Sequence, residues 1–159
     1  MAIASLIASE NISAGNAVYV TSTGQAALAK ADTVTNASVL GIAVDTVSSG
    51  GILRINADGV YTGYSGLTPG DFRYLSVLTP GLLISFSEFA AELASVSIDA
   101  FLTNVGRVVT STTLSIETMP PQLITNPNSV ILLEASVGLL IEALLLEDGS
   151  TIDLETASA

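Results

Sequence analysis

The chain has 159 residues, room for one sizeable domain and an appendage, with a core that stands without staples. Its 15 Asp and Glu outnumber 4 Lys and Arg, a formal net charge of −11 that leaves no set of cations for nucleic-acid phosphates or an anionic membrane surface. Cys and His are absent, which removes disulfides, thiolate chemistry and the commonest general base and metal ligand.

At the N-terminus, MAIASLIASE has a short apolar run with no basic residue before it, unlike a secretory signal. Further on, Glu134, Glu142 and Glu147 interrupt the best apolar stretch before it reaches the roughly 18 residues of a membrane span. The expectation is a soluble chain without a secretion signal. Hydrophobic residues make up 49% and charged residues 12%, with Val, Ile, Thr, Ser and Gly abundant. Val, Ile and Thr favour strands, and turn signals recur every ten residues or so, which predicts an all-β fold. The apolar excess also predicts buried contacts between subunits.

Two stretches say the same thing: ISAGNAVYVTSTGQAALA (12–29) and LTPGDFRYLSVLTPGLLI (67–84). Ile12 matches Leu67, Gly15 matches Gly70, Tyr19 matches Tyr74 and Val20 matches Leu75. VLGIAV (39–44) then matches NVGRVV (104–109), and GILRI (51–55) matches TTLSI (112–116). Residues 12–62 and 67–118 therefore read as two copies of one β unit. Two copies are too few for a solenoid, so the pattern predicts a compact β-sandwich or barrel built by pseudo-repetition over residues 1–118.

In SAGN (13–16), TPGD (68–71) and TPGL (79–82) the Gly stands where a type II turn wants positive φ. ADGV (57–60) and EDGS (147–150) place Asp-Gly between apolar runs, a hairpin signal. SEFAAELASV (87–96) breaks the β pattern: Phe89, Leu93 and Val96 share one helical face, with Ser87 as cap and Glu88 in the first turn. MPPQLITNPN (119–128) reads as a Pro-rich linker. Residues 129–159, acidic and Leu-rich, then form a C-terminal β-hairpin turning on Asp148-Gly149, so that Leu145 opposes Ile152 and Ala143 opposes Leu154. One face carries Ala143, Leu145, Ile152 and Leu154. The other leaves Leu144 and Leu146 for a partner, unless both faces belong to one intramolecular core.

Chemistry is thinly supplied. A Ser or Thr nucleophile needs a base, and Lys30 sits in a polar connection. Asp45, Asp58 and Asp71 are candidates for paired-carboxylate catalysis or a calcium site, yet each falls at a turn or strand end, where Asp serves local geometry. No enzyme activity and no cofactor or metal is expected. Tyr61 and Tyr64, close together in GVYTGYSG (59–66), read either as a partner- or sugar-binding patch or, preferably, as aromatics packed on the sheet. Arg54, Arg73 and Arg107 lie within apolar strand runs and are expected to pair with carboxylates, within the chain or across a subunit contact.

The repeating residues also carry a resemblance. Residues 14–62, from AGNAVYV to GVYT, resemble phage head decoration proteins of the lambda type, also called capsid cement proteins. The likeness lies in the order of parts: an apolar strand, a turn, an Ala-rich strand, a VLGIAV strand, a Ser/Gly turn and two further strands. Residues 66–83 with NVGRVV (104–109) are similar to the second half of related phage head and fibre modules. The resemblance implies a virion protein on the outer surface of the capsid, trimeric, bound to the major capsid protein and reinforcing joints between capsomers. It implies no cofactor. The alternative is a head- or tail-fibre module that adsorbs to host surface glycans.

Overall fold

The structure is a computed structural model, and it describes residues 2–126 together with the backbone of Leu144–Leu145 and Thr151–Ile152. The chain divides into two units, Met1–Asn126 and Pro127–Ala159. In the first unit the strands are β1 (Ile3–Ile7), β2 (Ala17–Val20), β3 (Ala26–Leu28), β4 (Gly41–Ala43), β5 (Ile52–Asn56) and β6 (Gly59–Thr62). They continue as β7 (Phe72–Leu75), β8 (Leu83–Ile84), β9 (Ala100–Leu102), β10 (Asn104–Thr110), β11 (Thr113–Ile116) and β12 (Gln122–Ile124). One helix, α1 (Phe86–Ser95), stands between β8 and β9. The fold is all-β, with antiparallel sheets and this single helix among the described residues.

The repetition is structural, but its units run from β1 to β5 and from β6 to β11 rather than over 12–62 and 67–118. The reason is that Gly59–Thr62 pairs with β11 in the second sheet and Ile3–Ile7 joins the first. The first sheet runs β1-β5-β4-β2-β3 and the second β6-β11-β10-β7-β8, the same order strand for strand. Register agrees as well: Ala17 opposes Ile42 and Val18 opposes Gly41 in the first sheet, where Phe72 opposes Arg107 and Arg73 opposes Gly106 in the second. The turns repeat too. Gly15 N–H donates to the Ala43 carbonyl and Gly70 N–H to the Val108 carbonyl, both at 2.8 Å. Gly15 and Gly70 have φ of +88° and +94°, and Asn16 and Asp71 close their turns on the Ser13 and Thr68 carbonyls. These are the positive-φ positions expected of the two turns.

Strand alternation decides what each residue buries. Val18 and Ala43 point into one core with Ala8, Ile12, Ala26, Leu53 and Ile55. Their neighbours Ala17 and Ile42 point the other way, into a second core. There they meet Leu75, Ile84, Val105 and Ile116 of the second sheet and Phe89 of the helix. Around β2 and β4 the first sheet is thus buried on both faces. A bridge between Ala8 and Ala26 also brings the ends of its outer strands together.

Three further expectations for the first unit change in detail. The cap of α1 is Ser85, not Ser87, because Ser85 and Glu88 form a reciprocal capping box while Phe86 begins the helix. Asp58-Gly59 is not a hairpin. β5 pairs with β1 and β4, β6 pairs with β11, and Gly59 (φ +86°) turns the chain from one sheet to the other. Asn56 holds that crossing, its side-chain amide donating to the Val60 carbonyl at 2.9 Å. The segment 119–128 is not all linker, since β12 pairs with β9 and Asn126 is 1% exposed. Its side-chain amide donates to the carbonyls of Leu93, in the last turn of α1, and of Val96, its C-cap, at 2.9 and 2.7 Å.

In the second unit, β13 (Leu144–Leu145) pairs antiparallel with β14 (Thr151–Ile152). Leu144 opposes Ile152 and Leu145 opposes Thr151, one residue away from the expected register. A one-residue slip exchanges the two faces of a strand, so the expected grouping of Leu145 with Ile152 does not hold. Ala143, Leu146 and Leu154 lie outside the described residues.

Candidate functional site

The outer face of the second sheet is where exposed apolar and charged groups gather. In β7, Phe72 and Tyr74 alternate with Arg73, so the two rings share the side away from the core that receives Leu75. Register extends a row from Phe72 to Arg107, to Ser115 and to Val60, across four strands. Arg107 lies over the Phe72 ring, its guanidinium carbon 5.8 Å from the ring centroid. That distance suits a cation–π contact. Tyr74 meets Phe86 of α1 edge-on, centroids 5.7 Å apart. Phe72 is 43% exposed and Phe86 59%.

Beside these rings runs a groove of about 310 Å³, in which Asp71, Ser85 and Ser87 stand among Phe72, Tyr74 and Phe86. On the other side of Tyr74 a hollow of about 170 Å³ is lined by Leu102, Asn104, Met119, Pro120 and Gln122. The face combines flat apolar rings, hydroxyls, a carboxylate and one cation. Such a set can bury rings against a protein or stack them on a sugar; the Ser85 hydroxyl donates to the Glu88 carboxylate at 2.8 Å, as part of the helix cap.

The four cations divide unevenly. Arg54 grips Asp45 with two hydrogen bonds of 2.7 Å, which hold the Asp45 carboxyl below its ordinary range. Lys30 lies 3.4 Å from Asp32. Arg73 reaches Glu88 only at 3.9 Å, and its buried Nε has no hydrogen-bond partner. Arg107 has no ion-pair partner among the described residues.

Tyr61 and Tyr64 do come together, edge to face with centroids 5.1 Å apart. The Tyr64 hydroxyl donates to the Gly15 carbonyl at 2.8 Å, tying the start of the second repeat to a turn of the first. Burial pushes both phenols above their ordinary pKa, most strongly at Tyr64. Packing, the preferred reading, accounts for them. A hollow of about 380 Å³ nearby, lined in part by Tyr64, Leu67, Arg73 and Gly81, runs between the two repeats.

Asp45, Asp58 and Asp71 are not gathered: the first holds Arg54, the second takes the Ala2 N–H, and the third lines the aromatic groove. Among the described residues no three acidic groups are placed to share a metal ion, and no helix is long and apolar enough to cross a membrane. Leu144 is placed as a paired backbone position, and Leu146 lies outside the described residues.

The aromatic face was the residue set that sequence reasoning missed. Its signal was the alternation Phe72-Arg73-Tyr74, in which two rings fall on the side opposite Leu75. Phe86 joins them only through the helix that starts there. No protein-family model matches the chain, and no curated protein matches it.

Proposed function

We propose that the chain is a structural virion protein, a capsid decoration protein that binds the outer surface of a phage head and stabilises joints between capsomers. It acts as a trimer on the major capsid protein, without catalysis or cofactor. The observation that carries this reading is the duplicated β unit, with equal strand order, register and turns in both sheets, in the residues that resemble decoration proteins. A rigid double module with exposed apolar rings on one face suits binding by many weak contacts, which trimeric avidity multiplies. Co-sedimentation with heads stripped of decoration tests it. The protein pellets with the heads at a fixed ratio to the shell protein; a chain that stays in the supernatant at every concentration contradicts the proposal.

A second reading has one specific observation in its favour. The groove that sets Asp71, Ser85 and Ser87 beside Phe72, Tyr74 and Phe86 joins exposed rings to a carboxylate and hydroxyls, the set a glycan-binding fibre module uses. Binding to host surface glycans that Phe72→Ala abolishes, with no binding to heads, would favour the fibre module.

A further inference from the structure

The two repeats are equivalent position by position, but their outer faces meet different fates. In the first sheet the face of Ala17 and Ile42 lies beneath the second sheet, and both residues are 0% exposed. The same positions of the second sheet hold Phe72 and Arg107, in the same cross-strand pair. Among the described residues no sheet lies over them; only the Arg107 guanidinium lies over the Phe72 ring, and Phe72 is 43% exposed. Within this chain, then, what covers such a face is another sheet of the same architecture.

We infer that the outer face of the second sheet is covered by a second copy of this chain, docked head to tail through β1 and β5 of its first sheet. This rests on the trimeric reading above. An isologous contact closes at two subunits, whereas a three-membered ring needs two different surfaces that fit each other.

The second surface is the margin formed by β1 and β5. Register places Ile3, Ser5 and Ile7 of β1 beside Arg54 and Ile52 of β5, on the face that carries Ile42. The second sheet does not reach this margin: Ile3 and Ile7 are each 49% exposed and Ile52 is 72% exposed. Ile7 and Ile52 oppose each other directly. Branched aliphatic side chains on a pleated surface pack well against flat rings such as Phe72 and Phe86. A face-to-face pairing of two identical aromatic faces would bring two Arg107 guanidinia to one contact. The β1–β5 surface meets the rings without that repulsion, since Asp45 already neutralises Arg54.

The test uses full-length chains carrying Phe72→Glu, Arg107→Glu or Ile52→Glu, alone and mixed, with light scattering after size exclusion and far-UV circular dichroism. Wild type is expected near three times 16.2 kDa. Each variant should keep the β spectrum and fall to one third of that mass. Phe72→Glu mixed with Ile52→Glu restores one intact contact, so the mass should climb toward two chains as concentration rises. Variants that remain trimeric overturn the inference and leave the trimeric reading standing. A monomeric wild type overturns both, and head binding is scored separately by co-sedimentation. A mixture that never exceeds the monomer mass overturns the head-to-tail pairing. Arg107→Glu carries the test of the aromatic face should Phe72→Glu lose the β spectrum.

Discussion

Gly41 and Gly106 hold the same post in the two repeats, and both are there because a backbone carbonyl passes close by. A Cβ on Gly41 would stand 2.3 Å from the Asn56 oxygen, and one on Gly106 would stand 2.1 Å from the Ser115 oxygen. Neither neighbour is a side-chain end that could swing aside. Gly41→Ala and Gly106→Ala should each cost about 3 kcal/mol, the upper end for overpacking, read as a lower urea midpoint. A loss under about 0.5 kcal/mol at both sites would mean that the strands separate freely there. Sequence alone marked these glycines as matching but gave no reason, because the constraint comes from a strand distant in the chain. Asp45 offers a second test at this scale. Its folded pKa is depressed by the Arg54 hydrogen bonds, so the stabilisation is full above the ordinary aspartate value of 3.8 and fades as pH falls through the lowered value. Asp45→Asn should lower Tm at pH 7, and its gap from wild type should close in acid below that point. A gap that stays constant down to pH 2 contradicts the assignment.

At the scale of elements, α1 was legible and its boundary was not. Phe89 and Leu93 fell on one helical face against the core, Phe89 at 3% exposed, whereas Val96 packs there from the extended C-cap, just past the end of the helix. The cap moved to Ser85 because two serines in SFSE compete for it and only Ser85 stands three residues before Glu88. Ser85→Ala should cost about 1 kcal/mol, and Phe89→Ala about 3–5 kcal/mol, in equilibrium unfolding. Equal effects of the two would place Phe89 outside the core. The Asp-Gly of residues 58–59 misled for a physical reason: a Gly with positive φ reverses a chain, but it does not decide whether the next strand pairs with the last. Here β1 had already taken that edge of β5. Helix and turn also share a link that sequence did not reveal, the Glu92 carboxylate accepting from Ser76 Oγ at 2.8 Å and from Val77 N–H at 2.7 Å.

For the whole molecule, the duplication was the most legible feature, since matched Gly and Tyr positions mark the turns and strands that both sheets repeat. Which face of each sheet is buried could not be read the same way. Ala17 and Phe72 occupy one post, yet their surroundings differ because a second sheet covers one and not the other. The end of the first unit was misplaced by the prolines near residue 120, which bend the chain into β12 without ending the fold. A chain ending at Asn126 should therefore melt higher than one ending at Met119. The shorter chain loses β12 and leaves the Leu93 and Val96 carbonyls without the Asn126 amide, a cost of about 1–3 kcal/mol for unsatisfied groups. Equal melting of the two would detach residues 120–126 from the core. Cryo-microscopy of the purified parent particle tests the decoration reading most directly. Density for this chain is expected on the outer shell at three-fold positions between capsomers, with two stacked sheets per subunit. A bare shell, with density for the chain confined to a fibre, would contradict it.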